Sequence, residues 1–149
     1  MPNVKLQKNF DLGKIKLDMH RELNFSADII VLDIENGIIS GRDINGRPFT
    51  KLQPETIAKK RKDRNASPRT ALYATGTMKK AYVPRGKRAT PTRQRVEIIP
   101  PKKRDEIGEY HQDGGGTLPQ REWFGISKTA EKNAFKMVEL KIEKAIRDA

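Results

Sequence analysis

The sequence predicts an α+β fold, with long amphipathic helices at the two ends around a small antiparallel sheet that carries a long basic hairpin loop. Three observations predict it. Apolar residues recur at steps of three and four from Leu12 to Ile38, and again from Ala130 to Ile146, which is the spacing of one helix face. Between them, TRQRVEIIP alternates and is rich in β-branched residues, as a strand does. Finally, 35 % of the 149 residues are apolar and 34 % are charged, against about 45–50 % and 25 % in an average domain. So polar a chain has a thin core, much exposed surface or a fold completed by partner subunits, and the last two together are expected. A single domain over 1–149 is the simplest division.

Taken in order, NVKLQKN alternates weakly and residues 1–10 read as an extended arm. The first helix is predicted from Leu12, with Asp11 as its N-cap and Leu12, Ile15, Met19, Leu23, Ala27, Ile30, Ile34 and Ile38 on one face. Gly37 and Gly41 bracket its end. Phe25, Ile29 and Leu32 make a second stripe, suited to a neighbour other than the chain's own core. Asn45-Gly46 signals a turn between Ile44 and Phe49. Pro54 suits the first turn of a short helix over about 54–63, with Glu55 at its positive end and the bases from Lys59 onward at its negative end.

Leu72, Tyr73 and Met78 around Gly76 read as a helical turn leading into an extended segment. Residues 78–83 and 93–99 are predicted to pair as a hairpin. Pro84, Gly86 and Pro91 break the connection, and residues 84–95 are expected to be a mobile basic loop until a partner orders them. RDEIGEYHQ reads as a helical turn ended by three glycines, and LPQREWFG as compact and irregular. Ser127 offers the N-cap of the last helix, whose face carries Ala130, Ala134, Phe135, Val138, Ile142 and Ile146.

The net charge of +12 sits in the middle of the chain: −1 over residues 1–40, +15 over 41–104 and −2 over 105–149. Such a block steers toward nucleic acid or an acidic protein face. Lys79, Lys80, Arg85, Lys87, Arg88, Arg93 and Arg95 are its candidate contact residues. No basic strand is interleaved with aromatics and no zinc finger is present, so non-specific DNA contact is the most that nucleic acid would ask of these residues.

The absence of cysteine excludes disulfides, thiolate metal sites and cysteine nucleophiles. MPNVKLQKNF lacks the apolar core of a signal peptide, and no apolar run approaches a membrane span, so the chain is expected to act in the cytoplasm or to leave it by a route that needs no signal. His20, between Asp18 and Glu22, is two residues from each and shares a helix face with neither. Around His111, the carboxylates Asp105, Glu106, Glu109 and Asp113 have the chemistry of a divalent-metal nuclease, but no spacing forces them together. GGG is followed by no Gly-Lys-Ser/Thr, and Ser127 lies in no nucleophile elbow. No catalytic residue, metal or cofactor is therefore expected. The same stretch reads better as a structural joint. Gly114 and Gly115 permit positive φ, Pro119 stiffens the exit, Arg121 forks onto carbonyls or a carboxylate, and Trp123 and Phe124 supply apolar area beside His111.

In order, a long N-terminal helix, GRPFTKLQPETIAKKR, LYATGTM, EYHQDGG, LPQREWFGIS and a C-terminal helix make up most of the chain from about residue 12. This arrangement resembles the phage virion morphogenesis (tail completion) family of Mu-like head–tail neck proteins. The pieces that carry the resemblance best are Leu72 with Thr75-Gly76, His111-Gln112 with Gly114-Gly115, and Pro119 with Arg121, Phe124 and Gly125. Trp123 stands where a smaller apolar residue is the pattern, and the central loop is longer and more basic. The resemblance implies a non-enzymatic virion component assembled in the host cytoplasm. Its expected partners are copies of itself in a ring, expected to be a hexamer, the head–tail connector or adaptor, and a tail terminator or tail tube protein. Contact with phage DNA is the accompanying expectation, and a free-standing basic DNA-binding protein of phage or prophage origin is the alternative.

Overall fold

The computed structural model describes residues 17–64, 68–72, 81–100 and 111–148. Among them the architecture is helical, and the predicted α+β class is corrected: no strand is present. The elements are α1, His20–Ser40; α2, Pro54–Lys62; a single 3-10 turn, Arg85–Lys87; and α3, Lys128–Arg147, with a further helical turn at 111–113.

The two terminal helices are where the apolar spacing put them, but α1 starts later than predicted. Residues 17–19 are not helical. Asp18 supplies the reason, because its carboxylate accepts the His20 backbone N–H at 3.2 Å and the His20 ring Nδ1–H at 2.6 Å. Gln94, from the central segment, accepts the Met19 N–H at 2.8 Å and donates to Asp18 at 3.2 Å. Two free donors at the start of the helix, the N–H groups of Met19 and His20, are thus satisfied by Gln94 and Asp18. Asp11, Leu12, Ile15 and the arm 1–10 lie outside the described residues. The other end follows expectation: Gly41 takes a left-handed φ of 67°, and Arg42 N–H bonds back to Gly37 O at 2.9 Å.

The predicted hairpin is reduced to one antiparallel pair, in which Tyr82 and Ile99 exchange both backbone bonds at 3.0 and 2.9 Å. The next paired rung inward falls on Pro84 opposite Glu97. Pro84 has no N–H, so the ladder stops on that side. Glu97 N–H turns instead to Lys87 O at 3.1 Å. Residues 78–80 of the first expected strand, with Tyr73, Gly76 and Met78, lie outside the described residues.

α2 matches its sequence signals, with Pro54 in the first turn and four bases in the last, and none of its residues is buried. The Asn45-Gly46 turn is also present. Gly46 has φ 78°, and the Asp43 carboxylate accepts the N–H groups of Asn45 and Arg47 at 2.9 and 2.8 Å. Among the described residues the core joins Ile34 and Ile38 of α1 to Phe49, Ala71, Ala81 and Trp123, with Ile30, Leu52, Leu72, Ile98 and Phe124 packed around them.

α3 opens on Ser127, whose hydroxyl accepts Ala130 N–H at 3.0 Å. It packs on α1 through Ala130 and Ala134. Ser26 meets Ala134 while Glu22 meets Lys141, so the two helices run antiparallel. No helix among the described residues is long and apolar enough to cross a membrane.

Candidate functional site

Residues 111–125 fold into a closed corner, and its order comes from side chains bonding to backbone. Gln112 is the centre of it. Its Oε1 accepts the N–H of Trp123 at 3.0 Å and of Phe124 at 3.1 Å, while its Nε2 donates to Phe124 O at 3.0 Å. One amide therefore satisfies three backbone groups of the returning strand of chain, which has no ladder of its own. His111 O accepts the Arg121 N–H, closing the same loop one residue outward.

Glycine is needed at the reversal. Gly114 has φ 73°, and a Cβ there would stand 3.1 Å from Gln120 N, so both the dihedral and the tight space disfavour a larger residue. Gly116 also has positive φ, at 64°, but faces open space. At the exit, a Cβ on Gly125 would stand 3.1 Å from Ile44 Cδ1, which is how closely the corner packs on the 43–47 turn. That turn is also bonded to Glu122, by Ile44 N–H at 2.9 Å and by the Asn45 amide at 3.2 Å. Pro119 is half-buried within the corner.

Arg121 is the unusual member. It is 4 % exposed, donates to Thr50 O at 3.1 Å and to His111 Nδ1 at 3.3 Å, and its Nε has no hydrogen-bond partner. Burial lowers the affinity of this guanidinium for its proton. Since arginine only donates, His111 Nδ1 is the acceptor and the ring is neutral, with its proton on Nε2. Burial, and then the neighbouring Arg121 charge, hold His111 below its usual 6.5. Trp123, 4 % exposed, sits in the core and tilts against Phe124 with ring centres 5.4 Å apart. Trp123 also lines a recess of about 350 Å3 between the end of α1, the 42–47 turn and the start of α3.

The basic segment lies elsewhere. Asn24 of α1 pins it by bonding both backbone groups of buried Ala89, at 2.8 and 3.0 Å. Its cations are partly engaged: Lys87 with Glu97 at 2.9 Å, Arg95 with Glu97 at 3.2 Å and Arg88 with Asp28 at 2.9 Å, while Arg93 donates to Arg88 O. Residues 84–95, expected to be a mobile loop, thus hold a 3-10 turn fastened to α1. The segment still presents more positive charge than these partners balance, with Arg85, Arg93 and Arg95 exposed. Lys79 and Lys80 lie outside the described residues, as do the carboxylates Asp105, Glu106 and Glu109; Asp113 is exposed.

The structure therefore brings His111, Gly114, Arg121, Trp123 and Phe124 into one corner, while the described basic residues Arg85, Lys87, Arg88, Arg93 and Arg95 lie on the segment fastened to α1. Sequence reasoning gave no role to Gln112, Asn24 or Gln94, whose work is bonding to backbone. A polar residue close to glycines that reverse the chain was the available signal for Gln112. Among the described residues, no group of three or more His, Asp or Glu side chains is placed to hold a metal ion. Compared with family models, curated proteins and solved structures, the chain matches none.

Proposed function

We propose that the chain is a non-enzymatic structural component of a tailed-phage neck, joining head connector to tail as one copy in an oligomeric ring. The observation that carries the reading is how residues 111–125 are used. The polar groups that a catalyst would aim at a substrate are turned onto the chain's own corner: His111 toward Arg121, Arg121 toward Thr50, and Gln112 toward Trp123 and Phe124. These residues also include several of the pieces that carry the resemblance to the tail completion family. The large apolar side chains left exposed on α1 and α3 add support, because ring neighbours supply the burial that a thin core lacks.

The test is genetic and biochemical together. In a phage that encodes this chain, an early stop codon is expected to leave filled heads and separate tails, and added purified protein is expected to join them. Normal particles from the stop-codon phage would refute the neck role.

A second reading, a basic DNA-binding protein, is favoured by one feature: the exposed Arg85, Arg93 and Arg95 on the central segment. It predicts DNA affinity that falls steeply with salt and a shallower salt slope when the three are replaced by Gln.

A further inference from the structure

We infer that His111 and Arg121 form an acid-released latch. When the His111 ring takes up a proton, Arg121 leaves its seat and the corner lets go of Thr50, with α1 and α3 still in place. The inference stands apart from the neck reading.

The seat of Arg121 is built from two acceptors and no carboxylate. The side chain is 4 % exposed and donates to Thr50 O at 3.1 Å and to His111 Nδ1 at 3.3 Å, while its Nε has no partner. Among the described residues, the other charged groups of these segments are engaged or turned outward. Glu122 accepts from the Asn45 and Gln120 amides, and Lys51 and Asp113 are exposed. A buried cation is ordinarily held by an opposite charge. Here its place depends on a carbonyl and on a ring nitrogen that accepts only while the ring is neutral.

Protonation of His111 therefore acts twice. Nδ1 gains a proton and changes from acceptor to donor, so the bond from Arg121 is lost. A second positive charge also appears 3.3 Å from the first, where burial limits screening by water. Arg121 is the group that moves, because its stem is long and water can serve all of its N–H donors. His111 is half-buried, so a proton reaches it without prior unfolding. What stays behind is held by groups that do not titrate: the Gln112 amide on Trp123 and Phe124, and the Ser26 hydroxyl on Ala134 O between α1 and α3. What is freed is the segment from Thr50, which leads from buried Phe49 into α2.

NMR on the full chain tests this with two signals, the titrating His111 ring and the Nε–H of Arg121. The chain has only two histidines, so His20→Gln assigns the ring. At about pH 7.5 the Arg121 Nε–H is expected to exchange with water at least about tenfold more slowly than those of exposed Arg85 and Arg95, and to reach their rate as the ring protonates. Backbone signals of α3 and of the second half of α1 are expected to hold their positions through that step. His111→Asn, which offers an uncharged acceptor near the Nδ1 position, is expected to keep Arg121 protected throughout. An Arg121 that stays protected beside a charged ring would overturn the inference, as would a ring that stays neutral down to about pH 4.5. Helix signals that shift together with the ring would replace the latch with general unfolding. Equal loss of protection in His111→Asn would overturn it too, by moving the cause to another group.

Discussion

Gln112 bonds three backbone groups with one side-chain amide, the N–H of Trp123 and the N–H and C=O of Phe124. Gln112→Ala is expected to cost about 3 kcal/mol, read by urea unfolding, since it removes three bonds at about 1 kcal/mol each. Gly114→Ala is expected to cost more than Gly116→Ala. Both force a left-handed φ on an L-residue, at about 1–2 kcal/mol, but only the first adds a collision with Gln120. His111 gives a pH signature. Between its lowered value and about 6.5, the unfolded chain binds a proton there that the folded chain refuses. Its contribution is therefore complete above about 6.5 and is lost as the pH falls through that window. The melting temperature is expected to drop on acidification below that point, and His111→Gln to flatten the drop. Carboxylates held low, such as Asp18 at about 2, act in a separate and more acid range.

Helices were legible in the sequence because their period is local, and so were the signals that end them: Gly41, Pro54 and Ser127 all do what their residue type predicts. The sheet was not. Alternation in TRQRVEIIP is a real tendency of the side chains, but a ladder depends on the N–H groups of both partners, and Pro84 removes the next rung inward of Tyr82–Ile99. The start of α1 was missed for a related reason, since the donors of its first turn are satisfied partly by Gln94, 75 residues away from Met19. In the corner, the glycines and aromatics were legible as types, while the bonds that fix Arg121 to Thr50 and Gln112 to Trp123 join distant or unpatterned positions. The fastening of the basic segment to α1 can be weighed directly. Asn24→Ala strips both backbone bonds from buried Ala89 and is expected to cost about 2–3 kcal/mol. Arg88→Gln removes an exposed ion pair and is expected to stay within about 1 kcal/mol. Equal costs in urea titrations would mean that charge, and not the Asn24 amide, holds the segment.

Among the described residues the core is small, large apolar side chains of α1 and α3 are exposed, and the middle of the sequence carries the positive block. A ring of copies accounts for the first two, and an acidic neighbour or DNA in a channel for the third. Assembly through apolar stripes is expected to survive salt, because burial of apolar area is not screened, whereas contact through Arg85, Arg93 and Arg95 is expected to weaken with it. The most direct test is the mass of the purified protein by light scattering at low and high salt, with and without DNA. The account predicts a discrete oligomer whose mass is the same at both salt concentrations and does not depend on DNA. A monomer that binds DNA tightly and releases it in salt would contradict it.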